Sequence, residues 1–196
     1  MKQFNKILFM GFFLTVLFSC LDFVAESDVL SDKLIRMHVK ANSDSDYDQE
    51  IKIEVKEEVA IFAEQIMLDF TNLEDAEIAI CKNLLEIEDM ANEKLLELGT
   101  DYTAKVSFEE EFFPTREYDT FTLPAGYYKA LKVDIGEAQG QNWWCVVYPT
   151  LCTASSVEDC SETLSDTEIE IITESPEISF WFYECYLQII EFFGEK

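Results

Sequence analysis

The sequence predicts an α+β domain: a mostly antiparallel sheet packed on one side by two long amphipathic helices, with an aromatic segment at the C-terminus. Three observations predict it. Two long runs place apolar residues at spacings of three and four. The segments around them alternate with a period of two. Hydrophobic residues make up 48% of the 196, enough for a sizeable core despite a net charge of -26.

Residues 34–41 form the first strand, with Ile35, Met37, Val39 and Ala41 on one face and Arg36, His38 and Lys40 on the other. Residues 42–46 supply several helix N-caps, and their acids gather where a helix N-terminus is positive. A helix over 47–68 follows, carrying Ile51, Val55, Val59, Phe62 and Ile66 along one stripe. A second, over 73–98, carries Leu73, Ala76, Ile80, Leu84, Ile87, Ala91, Leu95 and Leu98, and Gly99 is placed to end it. The two read as an antiparallel pair.

Strands come next. Tyr102, Ala104, Val106 and Phe108 alternate with Thr103, Lys105, Ser107 and Glu109. A hairpin or loop through Pro114 leads to an extended stretch at 118–123, and Pro124-Ala125-Gly126 turns into a strand over 127–135. The loop 136–141 then feeds a short apolar strand at 143–148 that stops at Pro149. Its two tryptophans, Trp143 and Trp144, point to opposite faces, so one enters the core while the other covers a helix or stays exposed for a partner. Residues 154–176 read as a mobile acidic linker, and 177–193 as a strand running into a helix. The domain plan is an N-terminal targeting segment over 1–25, an α+β domain over 30–153, the linker, and a C-terminal segment over 177–196 that packs on the domain.

The targeting segment reads as an export signal. Lys2 and Lys6 precede a twelve-residue apolar run at 7–18, and Ser19-Cys20 closes it. Such a run spans about 18 Å as helix, short of the roughly 30 Å of a hydrocarbon core. Three forms remain open: a cleaved signal, an N-terminal anchor extended through Leu21, Phe23, Val24 and Ala25, or a chain lipidated at Cys20. The charge excludes nucleic acid as a partner, because phosphate contacts need lysine and arginine. It also disfavours adsorption to an anionic membrane surface, leaving the N-terminal segment as the one membrane contact.

Outside the cytoplasm, close thiols oxidise. Cys145 and Cys152 enclose a short proline-containing loop and are expected to form a disulfide worth roughly 2 to 3 kcal/mol. Cys81 falls on the apolar face of the second helix and is expected to be buried. A zinc site is not expected, since there is no CxxC and His38 is the only histidine. His38 and Cys145 form the one conceivable thiol–imidazole couple, but no third residue marks itself as an orienting group, and His38 otherwise reads as a strand residue bonded to a neighbouring loop. Asp44 to Asp48 imitates the start of a calcium loop, yet Gln49 and Val55 stand where a turn glycine and a bidentate glutamate are needed, so helix capping is the better reading. The loop from Gly136 has too few glycines for a phosphate cradle; it is expected to bring Asn142 against another segment. No cofactor is expected.

Three segments carry a resemblance: residues 34–45 (LIRMHVKANSDS), 123–131 (LPAGYYKAL) and 136–152 (GEAQGQNWWCVVYPTLC). In this order, and over roughly residues 30 to 155, the chain resembles the stage II sporulation protein R family. Members of that family are exported from the forespore of endospore-forming bacteria towards the mother cell. There they trigger a membrane-embedded aspartic protease, which processes the precursor of a mother-cell sigma factor. The resemblance implies a secreted activator that works by binding, not an enzyme. It points to His38, Asn42, Asp44, Asn142, Trp143 and Trp144 as partner-binding residues, the more exposed tryptophan being the anchor; the alternative is that these residues only brace one another inside the fold. The acidity departs from what is expected of the family. Two other classes stay open at this point: an exported thiol-redox or hydrolytic enzyme using Cys145, Cys152 and His38, and a structural envelope lipoprotein.

Overall fold

A computed structural model describes residues 2–67, 70, 72–149, 163–175 and 177–194. The chain is α+β, with long helices and a mixed, mostly antiparallel sheet. Its contacts divide it into two compact units that interleave in sequence. The larger holds Lys33–Glu111 and Tyr127–Ser165, and the smaller Met1–Asp32, Phe112–Gly126 and Asp166–Lys196.

The larger unit is built on four strands: β1 (Ile35–Lys40), β2 (Ala104–Phe113), β5 (Gly126–Ile135) and β6 (Asn142–Tyr148), in the order β2-β5-β1-β6. β1 therefore lies inside the sheet, parallel to β5 with His38 opposite Lys132, and antiparallel to β6 with His38 opposite Trp144. Ile35, Met37 and Val39 join Leu131, Val133, Cys145 and Val147 on one face. That face packs on α2 (Asp46–Met67) and α3 (Leu73–Glu97) through Val55, Val59, Ile80, Ile87 and Leu95, as the two apolar stripes require.

Side chains cap the start of both helices, and a backbone turn ends α3. Ser45 Oγ accepts from Asp48 N at 3.2 Å at the start of α2, and Asn72 Oδ1 from Asp75 N at 2.9 Å at the start of α3. Gly99, at φ 73°, ends α3 in a Schellman turn: its N–H reaches Leu96 O at 3.0 Å and Thr100 N reaches Leu95 O at 3.2 Å. α3 also covers the entry to β2. Asn92 exchanges two hydrogen bonds with the backbone of Ala104 at 2.8 and 3.1 Å, and Glu88 accepts from Val106 N at 2.8 Å. Backbone groups at the start of a strand that ends the sheet order are thereby satisfied.

The smaller unit contains α1 (Lys2–Ser31), the short pair β3 (Arg116–Glu117) and β4 (Thr122–Leu123), α4 (Asp166–Glu174) and α5 (Glu177–Gly194). Phe23 and Val24 of α1 pack with Ile171, Phe180 and Tyr183, the Phe23 and Phe180 rings meeting edge to face at 5.0 Å. Tyr183 donates to Asp28 Oδ1 at 2.5 Å. Two expectations change here. The stretch read as a linker contains α4, whose Ile171 and Ile172 are buried; its acidic composition masked a short amphipathic period. The C-terminal segment has no strand portion but is helical from Glu177. Among the described residues no helix is long and apolar enough to cross a membrane.

Candidate functional site

β1 runs out at Lys40, and the residues beyond it are tied to the loop between β5 and β6. Ala41 O accepts from Gly140 N at 2.9 Å and Asn42 O from Gln139 N at 3.2 Å. The Asn42 side chain works in both directions: Oδ1 accepts from Glu137 N at 3.0 Å, and Nδ2 donates to Asp48 Oδ2 at 2.9 Å. Ser43 donates to the same carboxylate oxygen at 2.5 Å, and Gln49 Nε2 donates to Ser43 O at 2.8 Å. Lys52 closes the ring from α2, donating to Gln141 O at 3.1 Å.

Two glycines suit the backbone of this loop, Gly140 more strictly than Gly136. Gly136 has φ 58°, and a Cβ there would run into the Asn42 side chain. A Cβ on Gly140 would strike the backbone carbonyl of Ser43, which cannot swing aside as a side chain can. Asp48 is 3% exposed at the centre. Burial raises its pKa, but hydrogen bonds from Ser43, Asn42, Tyr102 and Ser45 outweigh that and hold it below the ordinary carboxylate value. Burial pushes the Lys52 ammonium the other way, towards the neutral form, with the Asp44 carboxylate opposing.

Trp143 and Trp144 part company as the pleat requires. Trp143, opposite Val39, lies on the helix-covered face, 38% exposed, with Lys56 Nζ 4.8 Å from its ring centre. Trp144, on the other face, stacks on His38 at 3.9 Å and 20°. His38 is buried and its Nδ1 lies 2.9 Å from Glu111 Oε2 of β2, so its partner is a strand and not the loop expected. On this face Arg36 is also buried, its guanidinium 5.0 Å from the Tyr128 ring.

The other sequence candidates separate. Asp44 and Asn142 are exposed; Asn142 opens β6 opposite Lys40, and it is Asn42 that meets the loop. Cys145 pairs in register with Met37 and belongs to the apolar core, so His38, one residue along, is aimed at the opposite face. The thiol–imidazole couple is therefore not assembled. Cys145 is disulfide-bonded, while Cys152 lies outside the described residues. Cys81 is exposed, a correction: the buried stripe of α3 passes through its neighbour Ile80. Among the described residues no cluster of three or more histidine, cysteine, aspartate or glutamate side chains is arranged to hold a metal. Sequence reasoning missed Asp48, Gln49, Lys52 and Glu111. Only Asp48 carried a signal, as the acid three residues after the capping Ser45.

Fold and site together define an α+β protein that presents a braced loop pair and a half-exposed tryptophan at one end of its sheet. The chain belongs to the stage II sporulation protein R family, whose model matches residues 31–158. It is 37% identical over 124 residues to the stage II sporulation protein R of Bacillus subtilis (strain 168), a match covering 63% of this chain. The match covers 55% of that relative, so the chain spans about half its length. No solved structure matches.

Proposed function

We propose that this stage II sporulation protein is an exported signal. It acts in the space between forespore and mother cell, where it binds a membrane-embedded aspartic protease and so promotes processing of a mother-cell sigma factor precursor. The mechanism is differential affinity: a ligand that binds the active state of its receptor more tightly shifts the receptor towards it. The observation that carries the proposal is Trp143. It is a large aromatic left 38% exposed at the rim of a rigid loop pair, inside the region that matches the family. Interfaces are anchored by such side chains, each often worth 2 kcal/mol or more.

Within this contact face the residues divide by role. Trp143 and the exposed Asp44 meet the receptor, with Asn142 beside them. Asn42 holds the loop in place, and Trp144 and His38 fix the strand behind it. The disulfide between Cys145 and Cys152 belongs to the same proposal, as a staple just beyond the tryptophans. The test is to co-produce the chain with the receptor protease and its precursor in a heterologous cell. Trp143→Ala is expected to leave thermal stability nearly unchanged while processing of the precursor falls at least tenfold, about 1.4 kcal/mol. Undiminished processing by a folded Trp143→Ala protein rejects this face.

A further inference from the structure

On the flank of α2 that faces α3, a hollow of about 510 Å³ opens between Tyr47, Ile51, Ile53 and Leu98, with Glu50 and Glu54 among its lining residues. Ile51 is buried and supplies an apolar floor, while Tyr47 is 53% exposed. Asp44, Asp46, Glu50 and Glu54 are all exposed along this stretch of chain. The lysines of the same helix segment point elsewhere: Lys52 reaches Gln141 O, and Lys56 lies over Trp143. Lys94, from α3, is 3.2 Å from Glu54, leaving Glu50 as the unneutralised charge of the lining among the interactions described.

An apolar floor beside the Glu50 carboxylate, on a chain of net charge -26, selects its ligand. A second copy of a chain with net charge -26 is repelled, as is an anionic lipid surface. A large apolar side chain flanked by cationic residues gains on both counts. We propose that this hollow docks a segment of a partner protein that presents a large apolar side chain between lysines or arginines. The proposal rests on the activator reading, and it gives the chemistry of what is bound. Tyr47 directly follows the segment from Asn42 to Asp46 in the chain, while Lys56 and Trp143 lie on another flank of α2, so the hollow is a second point of contact, separate from the tryptophan.

The probe is a short Lys-Lys-Leu-Lys-Lys peptide added to the full-length, isotope-labelled chain, followed by amide chemical shifts. Shifts are expected to concentrate at Tyr47, Ile53 and Leu98 and to weaken as salt rises. A peptide with serine in place of leucine is expected to bind about tenfold less tightly, as is the wild-type peptide to Leu98→Trp, which fills the hollow. Tyr47→Ala, at an exposed position, provides a second variant should Leu98→Trp misfold. Shifts spread evenly over the acidic surface, equal binding of the serine peptide, or concentration-dependent shifts without peptide (a second copy) each overturn the proposal. The precursor-processing assay separates it from the reading beneath it. If the wild type activates and both folded variants activate equally, the hollow is not the docking point and the activator reading stands. If the wild type itself does not activate, that reading fails, and the peptide titration alone decides what the hollow binds.

Discussion

Trp143 lies 38% exposed beneath the ammonium of Lys56, whereas Trp144, the next residue of the same strand, is stacked on His38 at 3.9 Å. Composition cannot separate them; the pleat does. One step along β6 exchanges the helix-covered face for the face that carries Arg36 and His38. Trp144 is then locked by a buried ring, while Trp143 arrives at the end of the sheet beside a loop that hydrogen bonds hold still. The difference teaches that which of two adjacent aromatics stays exposed is decided by the strand pleat and by what packs on each face.

The strongest test of that contrast is Trp144→Ala. Removing the stacked indole should cost about 3 kcal/mol in urea unfolding, against less than about 1 kcal/mol for Trp143→Ala. Equal costs would mean that both rings serve the core. Gly140→Ala sharpens the comparison from the loop side. Its Cβ meets the Ser43 carbonyl, so a loss of about 2 kcal/mol is expected. Amide shifts should change around Trp143 more than around Trp144. A fully stable variant would show that the loop yields more easily than its hydrogen bonds imply.

The smallest effect is a pH dependence. Asp48 has a folded pKa below its unfolded value, so its contribution to stability is complete above the unfolded pKa, about 4, and is lost as pH falls through the folded value. Asp48→Asn should therefore cost about 1 kcal/mol at neutral pH. That gap from wild type should close as the pH drops below about 4, and a gap constant down to pH 3 would place the stabilising carboxylate elsewhere.

Much of this was legible because it is local. The stripes of α2 and α3, the glycine at the end of α3 and the alternation of β1 each depend on residues close in sequence, so periodicity reads them directly. What failed to show was long-range. Arg36 and His38 read as a polar outer face, yet both are buried, because Tyr128, Glu111 and Trp144 come to them from other strands. Asn42 read as a candidate N-cap and partner-binding residue, and the group it braces, the Glu137 N–H, comes to it from far along the chain. Cys81 was misplaced by a single helical position.

β1 is the first strand in the chain, yet it lies inside the sheet, between partners centred on Lys132 and Trp144. Both neighbours are made roughly a hundred residues later, so at a synthesis rate of about 5–20 residues per second the strand waits on the order of ten seconds for them. Throughout that delay its apolar residues and both rows of backbone groups are open to other chains. Anything that keeps this segment apart until Tyr148 has been made is expected to raise yield, and the hazard falls on the newborn polypeptide, not on the finished one.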